Sequence, residues 1–344
     1  MNCSFCRLLI NVSVLLLMIS SNLTAQFTIR GNLESGFYRS IENFLSNEND
    51  LLFALEGKLG YKFKEENTEA SFELKTRQEW FGLNKELFSF KFRGSGDLVR
   101  REENFDWGIG ITRHLNRISG RSIDIDYDIF SIQGNATFYW FENAPVSVVL
   151  GYAYQNIASS IQQNHDIVFL EGKVHDVFSS FFKTGYGLYI EKFLIEGETI
   201  VNYNKRKESN GGVRIGPKLE IHYLKDFVVN GQYRFLFHFS DKAKPISYEH
   251  WVRLVAGKFL FSGFSTFLLI DYFWRNIKAG NDSKTINILY SPFNLENNIS
   301  LKIGYELTGS LELYLKSGYF RNNLVYNNYT FAGWNFLFGI EFLH

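Results

Sequence analysis

Three aspartates at every second position, Asp124, Asp126 and Asp128, form the densest group of candidate ligands in this chain. A strand places alternate side chains on one face, where three carboxylates would attract cations, Ca²⁺ among them. Alternate side chains on a strand stand about 6.6–7 Å apart, which is wide for a single ion. The Gly-bearing calcium loop pattern is absent as well. We therefore read these residues as a solvated acidic rim and expect no metal. Nucleophilic catalysis needs a Ser or Cys beside a His with a third group to orient it. His165, His175, His222, His238 and His250 are scattered, and neither Gly-x-Ser-x-Gly nor His-x-x-x-His occurs. No catalytic residues, no enzymatic activity and no cofactor are expected.

The elements that carry these residues show a period of two. At the C-terminus Trp334, Phe336, Phe338, Ile340 and Phe342 share one face of a strand. Similar stripes run through Phe53–Phe63, Phe88–Phe92, Phe182–Ile190, Phe193–Tyr203, Phe227–Phe239 and Ile299–Leu307. Five large apolar groups on one face need an apolar surrounding, either a second sheet or a bilayer. Strand length separates the two. These runs are longer than the five or six residues common in soluble strands and match the roughly 9–11 of a tilted membrane strand. Composition agrees: 17% of the residues are aromatic, with 35 Phe and 19 Tyr, yet no run of about twenty apolar residues follows the N-terminus. Basic and acidic residues balance at 36 each, so nothing suggests nucleic acid.

Residues 1–25 have the layout of a secretory signal peptide: Arg7, an apolar run from Leu8 to Ile19, then small and polar residues to Ala25. Cys3 and Cys6 both precede that run, so cleavage after Ala25 leaves a mature chain without cysteine. Residues 26–344 read as one domain. Short links near Glu65–Asn67, Glu142–Pro145, Glu191–Lys192, Leu224–Asp226, Phe261–Gly263 and Leu307–Ser310 alternate with longer polar ones. Parity then predicts about 16 strands, within a range of about 14–18, provided Asp166–Asp176 and Ser283–Ser291 lie in external loops. Under that count the segment from Ile157 to Phe181 is an external stretch that could fold into the lumen. Pro217 interrupts the run from Val213 to Tyr223 and implies a bulge or a later strand start.

Leader, alternating strands and terminal aromatic strand together resemble a Gram-negative outer-membrane β-barrel. The similarity is to the porin-like class as a whole, with no specific family. In that class the last strand acts as a sorting signal ending in an aromatic; here Trp334, Phe336, Phe338, Ile340 and Phe342 match and His344 departs. The resemblance implies insertion by the barrel-assembly machinery, residence in outer-membrane lipid and, by analogy with porins, homo-oligomers. With the aromatic stripes toward lipid, the intervening residues line a lumen. These include Glu73, Lys75, Arg77, Lys218, Glu220, His222, Arg275, Glu306, Glu312 and Lys316, with Arg214, Arg234, Arg253, Asp271 and Lys302 the leading candidates. A barrel of this size is too wide for side chains alone to fill. The expected function is a passive, water-filled channel for small solutes. The alternative is a non-conducting barrel with a structural, surface-interaction or secretion-apparatus role.

Overall fold

The structure, a computed structural model, describes residues 25–43, 49–82, 88–120, 123–141, 144–158, 162–201, 204–240, 247–261, 263–276, 297–324 and 329–343. The leader, with Cys3 and Cys6, and the segment Ser283–Ser291 lie outside the described residues. The first strands are β1 (Ala25–Asn43), β2 (Asn49–Glu65), β3 (Thr68–Phe81), β4 (Phe88–Arg101), β5 (Phe105–Gly120) and β6 (Ile123–Phe138). Next come β7 (Val146–Ala158), β8 (Gln162–Ser179), β9 (Phe182–Val201), β10 (Asn204–Leu224) and β11 (Val228–Ser240). The last are β12 (Ser247–Phe259), β13 (Phe264–Asn276), β14 (Asn297–Thr308), β15 (Leu311–Leu324) and β16 (Tyr329–Leu343). Each pairs with its neighbours in sequence, and β16 closes on β1, so the 16 strands form one closed antiparallel barrel. Closure pairs backbone groups that lipid could not hydrate.

Outward residues are large and apolar: Phe27, Ile29, Leu33 and Phe37 on β1, and Phe237 and Phe239 on β11, are all exposed. On β16 Trp334, Phe336, Phe338 and Phe342 are exposed on this face, with Ile340 in the same phase. The inward face of the same strands carries Glu34, Arg234, His238 and Glu341. Apolar outside and polar inside defines a transmembrane β-barrel. The ends of β1 and β16 nearest the chain termini lie at one end together with the β2–β3, β8–β9 and β14–β15 links, here termed the turn end. There the β2–β3 link is only Glu66 and Asn67, Glu66 taking a φ of 43°, as tight two-residue hairpins require. At the β12–β13 turn Gly263 has a φ of 83°, and a Cβ there would lie 3.1 Å from the Glu306 carbonyl.

Several sequence expectations are corrected. Asp166–Asp176 is not a loop but the body of β8, and Glu191–Lys192 is not a turn but the middle of β9, a strand of 20 residues. The stripe from Phe182 to Ile190 faces lipid. Phe193 and Ile195, in the opposite phase of the same strand, point inward and are 1% and 0% exposed. The segment from Ile157 to Phe181 therefore supplies wall, with β8 running through it. Pro217 causes neither a bulge nor a late start. β10 continues through it, paired to Leu188 of β9, and the β10–β11 register is the same at Ile215 and Lys218.

The lumen is not uniformly polar. Toward the end opposite the turns, Ala153, Ile167, Phe193 and Ile195 form an inward apolar cluster with Phe169 beside it. A second cluster joins Tyr38, Leu52 and Leu337 to Phe81 and Phe320. The tip of the Phe169 ring lies against Gly151 of β7, in the space a side chain would take. Gly151→Leu is expected to cost about 1–3 kcal/mol by overpacking. An unchanged urea midpoint for that variant would mean the ring swings freely.

Candidate functional site: the charged lumen

Inward charges assemble into linked networks because alternation repeats on every strand, and the register sets unlike charges on neighbouring strands close together. The most buried network spans β8 to β12. The Arg214 guanidinium donates from Nη1 to both Glu191 carboxylate oxygens at 3.0 Å and from Nε to Glu249 Oε2 at 2.7 Å. Its Nη2 also contacts Glu249. His238 Nδ1 lies 3.1 Å from Glu249 Oε1, and the Tyr189 hydroxyl donates to Glu191 at 2.5 Å. Arg214, Glu191, Glu249 and His238 are each no more than 3% exposed. One step nearer the turns, Lys218 reaches Glu171 at 2.6 Å and Glu220 at 2.8 Å. Lys173 meets Glu220 at 3.0 Å directly above Gly185, whose missing side chain leaves room for the crossing. Arg234 lies between the rings of Tyr189 and Trp251, 4.4 and 5.2 Å from their centroids, and 3.6 Å from Glu171.

On the opposite wall Glu34 accepts from Tyr314 at 2.7 Å and from Arg77 at 2.6 Å, while Arg77 also holds Glu79 at 2.7 Å. Lys302 bridges Glu312 and Glu341 at 2.6 and 2.9 Å. Between these networks the wall is open. Arg253 pairs with Asp271 at 3.2 Å and Trp251 Nε1 donates to Asp271 at 2.7 Å, yet the Arg253 side chain is 44% exposed. Both charges border a cavity of about 360 Å³ with Asn230, Gln232, Leu269 and Asn298. Lys58, Glu73 and Lys75 are also partly exposed on the inward face.

All five leading candidates therefore point inward, but they do not form one site. Arg214 and Arg234 sit in the buried network, Arg253 and Asp271 on the open wall, and Lys302 across the barrel. The carboxylates that complete the networks, Glu34, Glu171, Glu191 and Glu249, were not singled out from sequence. Their phase on each strand was the available signal, and their cross-strand partners were not visible in it. Asp124, Asp126 and Asp128, read from the sequence as a solvated acidic rim, are exposed near the end of the barrel opposite the turns. They share the outward phase of β6 with exposed Phe130 and Ile132, so they ring no lumen. Arg113 holds Asp128 through two bonds of 3.1 and 2.8 Å, and Arg117 lies 3.4 Å from Asp126 and 3.6 Å from Asp124. Among the described residues no group of His, Cys, Asp or Glu converges as a metal site. One Ser–His contact exists on the inward face: Ser147 Oγ lies 3.2 Å from His175 Nε2, and Thr137 shares the hydroxyl at 2.9 Å.

No protein-family model and no curated protein matches the sequence. Similarities to solved structures are low. CdiB from Acinetobacter baumannii is 10% identical with a TM-score of 0.48, over 92% of this chain and 60% of that one. The chain thus spans less than two thirds of CdiB. The ferric yersiniabactin uptake receptor FyuA from Yersinia pestis is 8% identical with a TM-score of 0.40, over 94% of this chain and 80% of that one. The toluene transporter TodX from P. putida is 6% identical with a TM-score of 0.41, over 95% of this chain and 91% of that one.

Proposed function

We propose that this protein resides in the outer membrane of a Gram-negative bacterium and passes small polar solutes passively through its charged lumen. The observation that carries this reading is the open stretch of wall around Arg253 and Asp271. Charges of both signs there stay partly exposed inside a barrel too wide for side chains to fill. The partly exposed Lys58, Glu73 and Lys75 extend the same kind of surface. Such a surface favours hydrated, polar cargo and filters it by charge. Export by a cleaved leader, insertion by the barrel-assembly machinery, homo-oligomerisation and the absence of an enzymatic role belong to the same proposal. Ser147 and His175 are read as a wall contact, since among the described residues no carboxylate orients the imidazole.

A second reading, a non-conducting barrel with a structural, surface-interaction or secretion role, is favoured by one observation. The inward apolar clusters and the Arg214 network are almost fully buried, so side chains crowd the inner wall at that level. Single-channel recording in planar bilayers separates the two, with folding verified by a heat-dependent shift on a detergent gel. Steps of stable conductance support the channel, and a folded but silent barrel supports the second reading. Arg253→Glu is expected to move the reversal potential in a salt gradient toward cations, whereas Arg113→Glu on the outer face leaves it in place. Equal reversal potentials for wild type and the Arg253 variant would remove Arg253 from the path.

A further inference from the structure

The turn-end links divide into two contiguous arcs of different chemistry. Four consecutive links, from β6–β7 round to β12–β13, end in bare aromatic and aliphatic groups. Trp140 and Phe141, Phe178 and Phe181, Leu224 and Phe227, and Leu260 and Phe261 are all exposed, Phe261 at 71%. The remaining links are polar: Glu66–Asn67, Glu102–Asn104 and Gly309–Ser310. Behind the first two stands a collar of charge: Arg100 on Glu102 at 2.7 Å on the outer face, and Arg101 on Glu69 at 3.2 Å in the inward phase of β3 and β4. The backbone of Arg101 bonds that of Asn67 at 2.8 Å, which ties the two polar turns together.

On the aromatic arc the lipid-facing belt runs without a break into the turns. Phe105 stacks on Phe138, and Phe138 on Trp140 at 4.8 Å. Phe178 stacks on Phe182, while Phe181 and Phe227 both pack on Tyr223, the latter at 4.4 Å. Phe261 packs on Phe264, which packs on Tyr305. Lys225 lies 5.2 Å from the Phe181 ring centroid, a cation held at the aromatic level. On the polar arc apolar groups reach the strand ends, with Phe63 on β2, Phe105 on β5 and Leu307 on β14, but the turns themselves carry none, and the charged pair Arg100–Glu102 follows on the outer face. Trp, Tyr and snorkelling Lys at the edge of an apolar band mark the membrane–water interface. An apolar surface of this extent is not left in water without a partner.

We propose that the lipid headgroup region of one leaflet covers the four aromatic turns and stops before the charged collar, so the barrel sits inclined in its membrane. The occupant of the aromatic turns is lipid, because the turns continue a belt that already faces lipid. This rests on the transmembrane reading and extends it to a surface that would otherwise dock a soluble protein or a second copy.

Single cysteines tested in the purified protein decide it: Trp140→Cys, Phe181→Cys and Phe261→Cys on one arc, Glu66→Cys, Glu103→Cys and Gly309→Cys on the other. Each is labelled with an environment-sensitive thiol dye in phosphatidylcholine vesicles, with the unsubstituted protein labelled in parallel. Phe336→Cys in mid-belt is the positive control. On the aromatic arc brominated lipid is expected to quench the dyes, with iodide quenching several-fold weaker than on the polar arc. Equal iodide access on both arcs, with Phe336→Cys still quenched by lipid, overturns the proposal and leaves the membrane reading intact. Failure of Phe336→Cys itself would overturn the membrane reading. Protection that vanishes when protein is diluted in lipid assigns the arc to a second copy and also overturns the proposal. If a cysteine variant does not fold, Trp140→Phe provides a second measurement. The emission it removes from the native spectrum should be the component that brominated lipid quenches; an iodide-quenched component would count against lipid cover.

Discussion

Arg214→Ala is expected to cost about 3–5 kcal/mol, enough to lose the folded band on a detergent gel under conditions that preserve the native barrel. Arg214 is the shared cation of Glu191 and Glu249, and all three side chains are at most 3% exposed. Removing it leaves two carboxylates with little water, and His238 touches only one of them. Most of the loss is thus a penalty on what stays behind, not a measure of what the ion pairs add. The triple variant Arg214→Leu, Glu191→Gln, Glu249→Gln should regain most of the stability, because it removes the buried charges together. Arg113→Ala is the comparison. It breaks a pair with Asp128 in which both side chains are well exposed, and should cost under about 1 kcal/mol. Urea unfolding in lipid vesicles, followed by tryptophan emission, reads all three. Equal midpoints for Arg214→Ala and Arg113→Ala would show that the lumenal network is hydrated.

Phe193→Ala carries the second large effect. The ring is 1% exposed, packs with Ala153, Ile167 and Ile195, and lies 5.2 Å from the His238 ring. It fills the space above Gly212, where a side chain would collide with it. Truncation should cost about 3–5 kcal/mol through lost burial and the cavity left behind. Unlike a core residue of a soluble protein, Phe193 projects into the lumen. Its removal should therefore also raise single-channel conductance if solutes pass along this wall. Lower stability with unchanged conductance would place the path elsewhere, on the Arg253 side. Ile195→Val, which removes one methyl group from the same cluster, is expected to cost about 0.5–1.5 kcal/mol.

Most of the strand pattern was legible because the two faces of a membrane strand meet opposite solvents, and β1, β2, β11, β14 and β16 keep one phase throughout. β8 and β9 were misread for the converse reason. Phe193, Ile195, Ile167 and Phe169 put apolar groups inward, so the apolar stripe changes phase within β9 and imitates two strands with a turn at Glu191–Lys192. The lumen candidates were legible as a class, since Arg214, Arg234, Arg253, Asp271 and Lys302 all fall in the inward phase. Their division into a buried network and an open wall was not. Asp124, Asp126 and Asp128 share the lipid-facing phase of Phe130 and Ile132, and their carboxylates stay in water with Arg113 and Arg117 because β6 carries them to the end opposite the turns.

The sequence by itself determined that strands alternate between lipid and lumen, that they close into a barrel, and which residues share an inward phase. Those properties follow from a two-residue period and the insolubility of unpaired backbone in lipid. Only the tertiary structure decided which inward charges meet, because Arg214 reaches Glu249 across β11 and Lys218 reaches Glu171 across β9. The tertiary structure also showed that Phe178 and Phe181 flank a turn-end link, β8–β9, which completes a row of four aromatic links from Trp140 to Phe261.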